Sequence, residues 1–241
     1  MQQDIYKVWD IADLIKGNAY VGRGIVIGRS ADGSKAVAAY FIMGRSANSR
    51  NRIFTVREGE VFTEPFDASK VQDPSLIMYA AIRSRGSHLI VTNGNQTDTI
   101  YDALSGGRSF IEALKTRTFE PDAPNHTPRI SGMLNFGEGD FDYEMSILKS
   151  ADAQGSGCCR QFFAYPALPG LGHFLHTYVC DGDPLPSFQG EPERVSIPDD
   201  IDAFADVLWE ALDKDNKISL YVRYIDLAGG GSKERVINKN A

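Results

Sequence analysis

The 241-residue chain carries 25 Lys and Arg against 32 Asp and Glu, a net charge of −7, with 42% hydrophobic and 24% charged residues. That is an ordinary globular balance with apolar material for a core, and its sign argues against general affinity for nucleic acid or an anionic membrane. Local charge governs at contact range, so one small phosphate site is not excluded.

The opening MQQDIYKVWDIADLIKGNAY lacks the basic-then-apolar order of a secretory signal. The segment 19–28, AYVGRGIVIG, is a strand, and after the turn SADGS a second, nearly all-apolar strand covers 37–43. Together they read as a hairpin buried on both faces. Short strands follow at 53–56 and 61–63. Segments 76–83 and 88–92, separated by SRGS, suit another hairpin, although the first also fits a helix. Beyond TNGNQ, helical spacing covers 97–104, Gly106 and Gly107 end it, and 110–114 forms a second short helix. FEPDAPNHTPR, at 119–129, holds three prolines and is an irregular connection. Strands are expected at 130–136, 143–149, 160–165 and 173–180. Pro198, Asp199 and Asp200 open the best helix, with Ile201, Phe204, Leu208 and Leu212 as its apolar stripe. Alternation over 217–225 marks a late strand. No run nears the ~18 apolar residues of a membrane span. The content is α+β, strand-rich, and one domain. Cys158, Cys159 and Cys180 form no CxxC pair, and an odd count makes a poor disulfide framework. A cytoplasmic protein with reduced thiols is expected.

Several polar stretches admit two readings. YFIMGRSANSRNR, at 40–52, gathers Arg45, Arg50 and Arg52 in a Gly/Ser/Asn loop. Guanidinium forks match phosphate oxygens, yet a solvated turn pairing with surface carboxylates has the same composition. There is no GxxxxGK[ST]. Arg23 lies between two glycines in an apolar strand, where a charge needs a carboxylate or a ligand. TNGNQTD, at 92–98, is either a polar-ligand turn at a helix N-terminus or simple capping. NHTPR, at 125–129, combines a hydroxyl, an imidazole and a guanidinium. His173 and His176 invite a zinc reading, but on a strand their rings face opposite ways and no HExxH or Cys partner supports it. Cys158 and Cys159 lack a local base that would mark a nucleophile.

YVGRG, AAYFIMGRSANSRNR, VTNGNQTDTI and FEPDAPNHTPRI occur in the order found in the IMP cyclohydrolase family of archaeal type. HTYVCDGDPLPSFQGEPERV and NKISLYVRYID resemble its longer bacterial branch. The resemblance implies a four-layer αββα sandwich similar to the N-terminal-nucleophile hydrolase fold without that nucleophile, Met1 and Gln2 being neither Ser, Thr nor Cys. It implies a single domain over 1–241, with 1–18 as an N-terminal extension. The implied reaction closes FAICAR (5-formamidoimidazole-4-carboxamide ribotide) to IMP with loss of water, in purine biosynthesis, with no cofactor and no metal. The alternative is a purine-ribonucleotide-binding regulator without turnover. An amide hydrolase on the related fold is disfavoured by the missing nucleophile. On this resemblance Arg45, Ser46, Asn48 and Arg50 would meet the phosphate or the developing oxygen charge, with Arg23 pointing into the same cleft. Asn93, Thr97 and Asp98 would bind base or ribose, and Thr127 and Arg129 would close the other side. Tyr40 would donate the proton, because neighbouring arginines favour its anion. Expected partners are the purine ribonucleotide and, in a homo-oligomer, further copies of the chain, with neither nucleic acid nor membrane.

Overall fold

The computed structural model describes residues 4–71, 78–229 and 231–240. The chain runs through α1 (Ile11–Ile15), β1 (Arg23–Arg29), β2 (Lys35–Met43), the one-turn α2 (Ala47–Arg50), β3 (Arg52–Arg57), β4 (Glu60–Pro65), β5 (Tyr79–Arg85) and β6 (His88–Thr92). Helices α3 (Gln96–Ser105) and α4 (Phe110–Lys115) follow, then β7 (Arg129–Phe136), β8 (Phe141–Ser150), β9 (Cys158–Pro166), β10 (Leu171–His176) and β11 (Glu193–Ser196). Helix α5 (Ile201–Ala211), β12 (Lys217–Asp226) and β13 (Ser232–Asn238) end it. One antiparallel sheet has the order β11-β10-β1-β2-β12-β13, and the other runs from β3 to β9 in chain order.

Side-chain alternation explains how the layers stack. On β1 and β2, Ile25, Ile27, Ala38, Tyr40 and Ile42 face the second sheet, where they meet Ile130, Leu134, Tyr143 and Met145. The intervening Val26, Val37, Phe41 and Met43 face away, against Ile11 and Ile15 of α1 and Phe204 and Leu208 of α5. The far side of the second sheet is covered by α3 and α4, with Ile100, Phe110 and Leu114 on Ile90, Met133 and Leu148. Each such side chain contributes about 1.5–3 kcal/mol on leaving water. The molecule is thus mixed α+β, two packed antiparallel sheets with few, short helices. The β1–β2 hairpin is apolar on both faces because both of its faces are covered.

Several expectations need adjusting. The segment 76–83 is strand, not helix, from Tyr79 onward, and its first two residues lie outside the described ones. Within the expected N-terminal extension 1–18, α1 seats Ile11 and Ile15 in the outer core. Strands β11 and β13 were not anticipated: the first has four residues, and the second is mostly charged and polar. Strand β10 ends at His176 rather than 180. Thr177 and Tyr178 leave the regular ladder and donate their N–H groups to Arg23 and Val21 carbonyls. Gly22 permits this approach: its φ is +80°, and a Cβ there would lie 2.1 Å from the Thr177 hydroxyl.

Candidate functional site

Three connections meet the entry to β1 at one end of the two sheets: the α2 turn, the α4–β7 connection and the β10–β11 connection. They enclose a cavity of about 280 Å³ lined by Arg23, Arg45, Ser46, Asn48, Glu120 and Thr127, among others. A cavity of about 300 Å³ at the opposite end is lined by Asp199, Asp200, Asp202 and Asp226 with Lys35 and Lys233. Four carboxylates make that second cavity a poor host for phosphate.

The floor of the first cleft holds its most constrained charges. Arg23 lies on the inter-sheet face of β1, in phase with Ile25 and Ile27, and its buried Nε has no hydrogen-bond partner among the described residues. Burial alone would depress its pKa, but Glu120, with the phenols of Tyr20, Tyr178 and Tyr79, holds it above the usual value. Glu120 is 5% exposed and sits 4.0 Å from Arg129. Burial raises its carboxyl pKa, with Arg23 and Arg129 pulling the other way. Arg52 is fully buried beside them, a placement sequence reasoning missed. Below this floor the Tyr40 and Tyr79 hydroxyls share a 2.8 Å hydrogen bond.

Tyr40 therefore departs from the sequence argument. Arg23 and Arg52 do favour its anion, but burial is the larger effect, and with Tyr79 it pushes the phenol well above its ordinary value. A neutral, hydrogen-bonded phenol is what the site contains. It lies beneath the cleft rather than on its lining.

The α2 turn forms the rim. Ser46 caps it, accepting from the Ser49 N–H at 3.1 Å, and the Asn48 Oδ1 is buried without a partner among the described residues. Arg45 lines the cleft but donates to Asp181 at 2.6 Å and to the Gly182 carbonyl at 2.9 Å. Arg50 is not brought to the cleft. Its Nε donates to the Gly44 carbonyl and its Nη2 to Asn216, tying the turn to the start of β12. Of the loop's three arginines, Arg45 and Arg52 line the cavity and Arg50 does not.

Asn93, Thr97 and Asp98 also stand back from the cavity. Asn93 donates to Pro128 O and accepts from Ile130 N and Gln96 Nε2. Thr97 bonds Thr92 and Gly94, while Asp98 pairs with Arg83 at the surface. Gln96 in turn accepts from Arg129 at 2.7 Å. This group positions Arg129, and Arg129 faces Glu120 from behind. Thr127 does reach the cleft, where its hydroxyl meets Asp122 and, at 2.5 Å, the Tyr178 hydroxyl. Glu120 and Asp122 flank Pro121 in the motif FEPDAPNHTPR. Being the acidic residues of a proline-rich loop was their only signal, and solvation explains such residues equally well.

The histidines are structural. His173 accepts from the Tyr143 hydroxyl at 2.6 Å under a stacked Tyr165 ring, centroids 3.6 Å apart. His176 packs on Phe188, with Nδ1 on the Tyr178 carbonyl. His126 packs edge-on against Phe119. Among the described residues no group of three or more His, Cys, Asp or Glu is placed to hold a metal, and no helix is long and apolar enough to cross a membrane.

Buried cations, one buried carboxylate and a phenol pair at a loop-walled cleft are the equipment of a protein that holds a small anionic molecule and moves protons on it. Residues 20–231, which include the whole cleft, match the IMP cyclohydrolase-like protein family, and the chain belongs to it. An IMP cyclohydrolase of Methanopyrus kandleri is 31% identical over 182 residues, covering 70% of this chain and 89% of that protein. One from Methanococcus aeolicus is 28% identical over 165 residues, 67% and 75% of the two chains. A third, from Methanothrix thermoacetophila, is 33% identical over 120 residues, 48% of this chain and 58% of the relative.

Proposed function

We propose that the cleft binds FAICAR and closes its ring to IMP with release of water, a step of purine biosynthesis, within a single domain. The observation that carries this reading is convergence. Arg23, Arg45, Ser46, Asn48, Glu120 and Thr127 come from three separate stretches of a chain of the IMP cyclohydrolase-like family and line one cleft.

The substrate brings both reacting groups on one imidazole, so proximity is largely built in. The carboxamide nitrogen attacks the formamido carbon, a C–N bond forms, and the former carbonyl oxygen takes negative charge. Arg23, whose buried Nε has no partner among the described residues, is the donor for that oxygen. Glu120 takes the proton that the attacking nitrogen loses, a task suited to a carboxylate raised above its ordinary pKa. That proton passes to the oxyanion, making it a hydroxyl. The formamido nitrogen then gives up its own N–H to complete the C=N bond as the C–O bond breaks. The hydroxyl leaves as water with this second proton, delivered by Glu120 or relayed through the Tyr40–Tyr79 pair. The partly exposed rim of Arg45, Ser46 and Asn48 suits the phosphate, which keeps some of its water. Asn93, Thr97 and Arg129 support the site through Glu120 rather than by touching substrate. Arg50 braces the α2 turn.

The reading extends to an αββα layer order like that of N-terminal-nucleophile hydrolases, supported by helices on both outer faces. It extends also to the cytoplasm, which suits three free thiols. A binding regulator would need the rim but not a buried carboxylate beside a phenol pair. Purified protein incubated with FAICAR should produce the IMP absorbance. Tight AMP or IMP binding without IMP formation would replace this reading with the regulator.

A further inference from the structure

Two carboxylates stand at the mouth of a cleft assigned to an anion, where their charge opposes its entry. They belong to the β10–β11 connection, which folds back on itself after Tyr178. The Val179 N–H donates to the Pro186 carbonyl at 2.9 Å and the Phe188 N–H to the Thr177 carbonyl at 3.0 Å. Asn18 donates to the Val179 carbonyl at 2.8 Å, and Asn125 accepts from the Leu185 N–H at 3.0 Å. Tyr178 and Leu185 line the cleft. Between these ties the tip Cys180-Asp181-Gly182-Asp183-Pro184 carries two acids and no base. Among the described residues the tip's hydrogen bonds all come from Arg45. One nitrogen, Nη1, donates to Asp181 Oδ1 at 2.6 Å and to the Gly182 carbonyl at 2.9 Å. The same guanidinium lies 5.2 Å from the Tyr20 ring centroid, a contact that does not depend on Asp181.

We infer that Asp181 is a built-in competitor for the nucleotide's phosphate: it holds Arg45 in the free protein, yields it on binding, and reclaims it as product leaves. The inference rests on the assignment of the rim to the phosphate and deepens it. Carboxylate and phosphate seek the same guanidinium edge. The phosphate brings up to two charges against one, so it wins the arginine, and once seated it repels the carboxylate it displaced. Both side chains of the ion pair are partly exposed, so breaking it costs little. Cys180, Asp181, Asp183 and Pro184 are all exposed, so the tip can swing away from Arg45 while the ties at Val179 and Leu185 stay made. Product leaves by the reverse exchange. Asp181, tethered within reach, meets Arg45 at a high effective concentration and loosens a grip that would otherwise hold the phosphate. It is a positioning residue that acts through Arg45 and touches no reacting atom.

The test compares IMP with inosine, which lacks the phosphate, by calorimetry on wild type, Asp181→Asn and Asp183→Asn. Asp183 shares the tip and its charge but is not a partner of Arg45. Asp181→Asn should bind IMP about three- to tenfold more tightly, the effect of removing one weak competing ion pair and its charge. Its affinity for inosine should not change, and Asp183→Asn should bind IMP within about twofold of wild type. Stopped-flow release of IMP should slow in Asp181→Asn, and KM for FAICAR should fall without a gain in kcat. Unchanged or weaker IMP binding in Asp181→Asn overturns the inference, the weaker case making Asp181 a brace that aims Arg45 at the phosphate. An equal gain for inosine, or an equal gain in Asp183→Asn, also overturns it, since neither acts through the Arg45 bond. If IMP binding tightens as expected but FAICAR is not converted, the cyclohydrolase reading fails and the competitor stands. If FAICAR is converted and IMP affinity does not move, the competitor alone fails.

Discussion

Acid should weaken this fold through one imidazole, and the loss can be worked out. His173 is 4% exposed between the sheets, its Nδ1 accepting from the Tyr143 hydroxyl under the Tyr165 ring. Burial, helped by the positive charge of Arg194, lowers its pKa from 6.5 to about 4. The folded protein therefore refuses a proton that the unfolded chain accepts near pH 6.5. Stability from this group is fully present above that pH, falls as pH drops through the window, and levels off below pH 4, where both states are protonated. At ~1.4 kcal/mol per unit, and allowing for some solvent screening, the loss is about 2–3 kcal/mol. Urea midpoints measured from pH 7 to 4.5 would read it against His173→Gln, whose amide can still accept from Tyr143. The wild type should lose about 2–3 kcal/mol more than the variant over that range. Glu120 runs the other way, its raised pKa giving stability that is lost as pH rises, but it is common to both proteins and cancels. Parallel decline of wild type and variant would refute the argument.

Other outcomes follow from the cleft. Glu120→Gln should lower FAICAR turnover by about 10²-fold or more while nucleotide binding stays within a few-fold; turnover within tenfold of wild type would remove the general base. Arg45→Ala should weaken AMP or IMP binding by about tenfold in calorimetry. Arg50→Ala should leave that affinity alone and destabilise by about 1 kcal/mol, because only Gly44 O and Asn216 lose a partner. Equal binding losses in the two variants would restore Arg50 to the site. Tyr40→Phe should leave the Tyr79 hydroxyl unpaired at 7% exposure, at a cost of about 1–2 kcal/mol in denaturant unfolding. Full turnover in that variant would take the phenol pair out of the proton path.

The fold was legible wherever one periodicity dominated. The all-apolar β1 and β2, the alternation of β12 and the stripe of α5 each announce their element because both partners of the burial are written locally. The failures share a cause. Strand β13 reads as charged and polar, and only the neighbouring β12 makes it a strand, through pairing from Ser219↔Asn238 to Ile225↔Ser232. Helix α1 has five residues, too short for periodicity, and is held by packing on α5. In the site, TNGNQTD reads equally as a ligand turn or a helix cap because its side chains are polar. Those groups are spent on one another, as the Asn93–Gln96–Arg129 contacts show.

What separates the arginines is burial, which a one-dimensional reading cannot assign within a loop. Arg45, Arg50 and Arg52 stand within eight positions and share the same composition around them. Arg45 meets a carboxylate with side chains 36% and 46% exposed, a pair worth about 0–1 kcal/mol. A nucleotide phosphate can therefore displace Asp181 from it at little cost. Arg50 satisfies its own loop. Arg52 opens β3, so alternation turns it inward with Phe54, into a place where a charge without a counterion is expensive. The one sequence clue was strand phase: a charged residue two positions before a core aromatic points where that aromatic points. Arg23 gives the same clue two positions before Ile25. A cation in phase with a strand's buried face is thus better evidence for a site than a cluster of cations in a loop, because the fold must tolerate the first and gains from solvating the second.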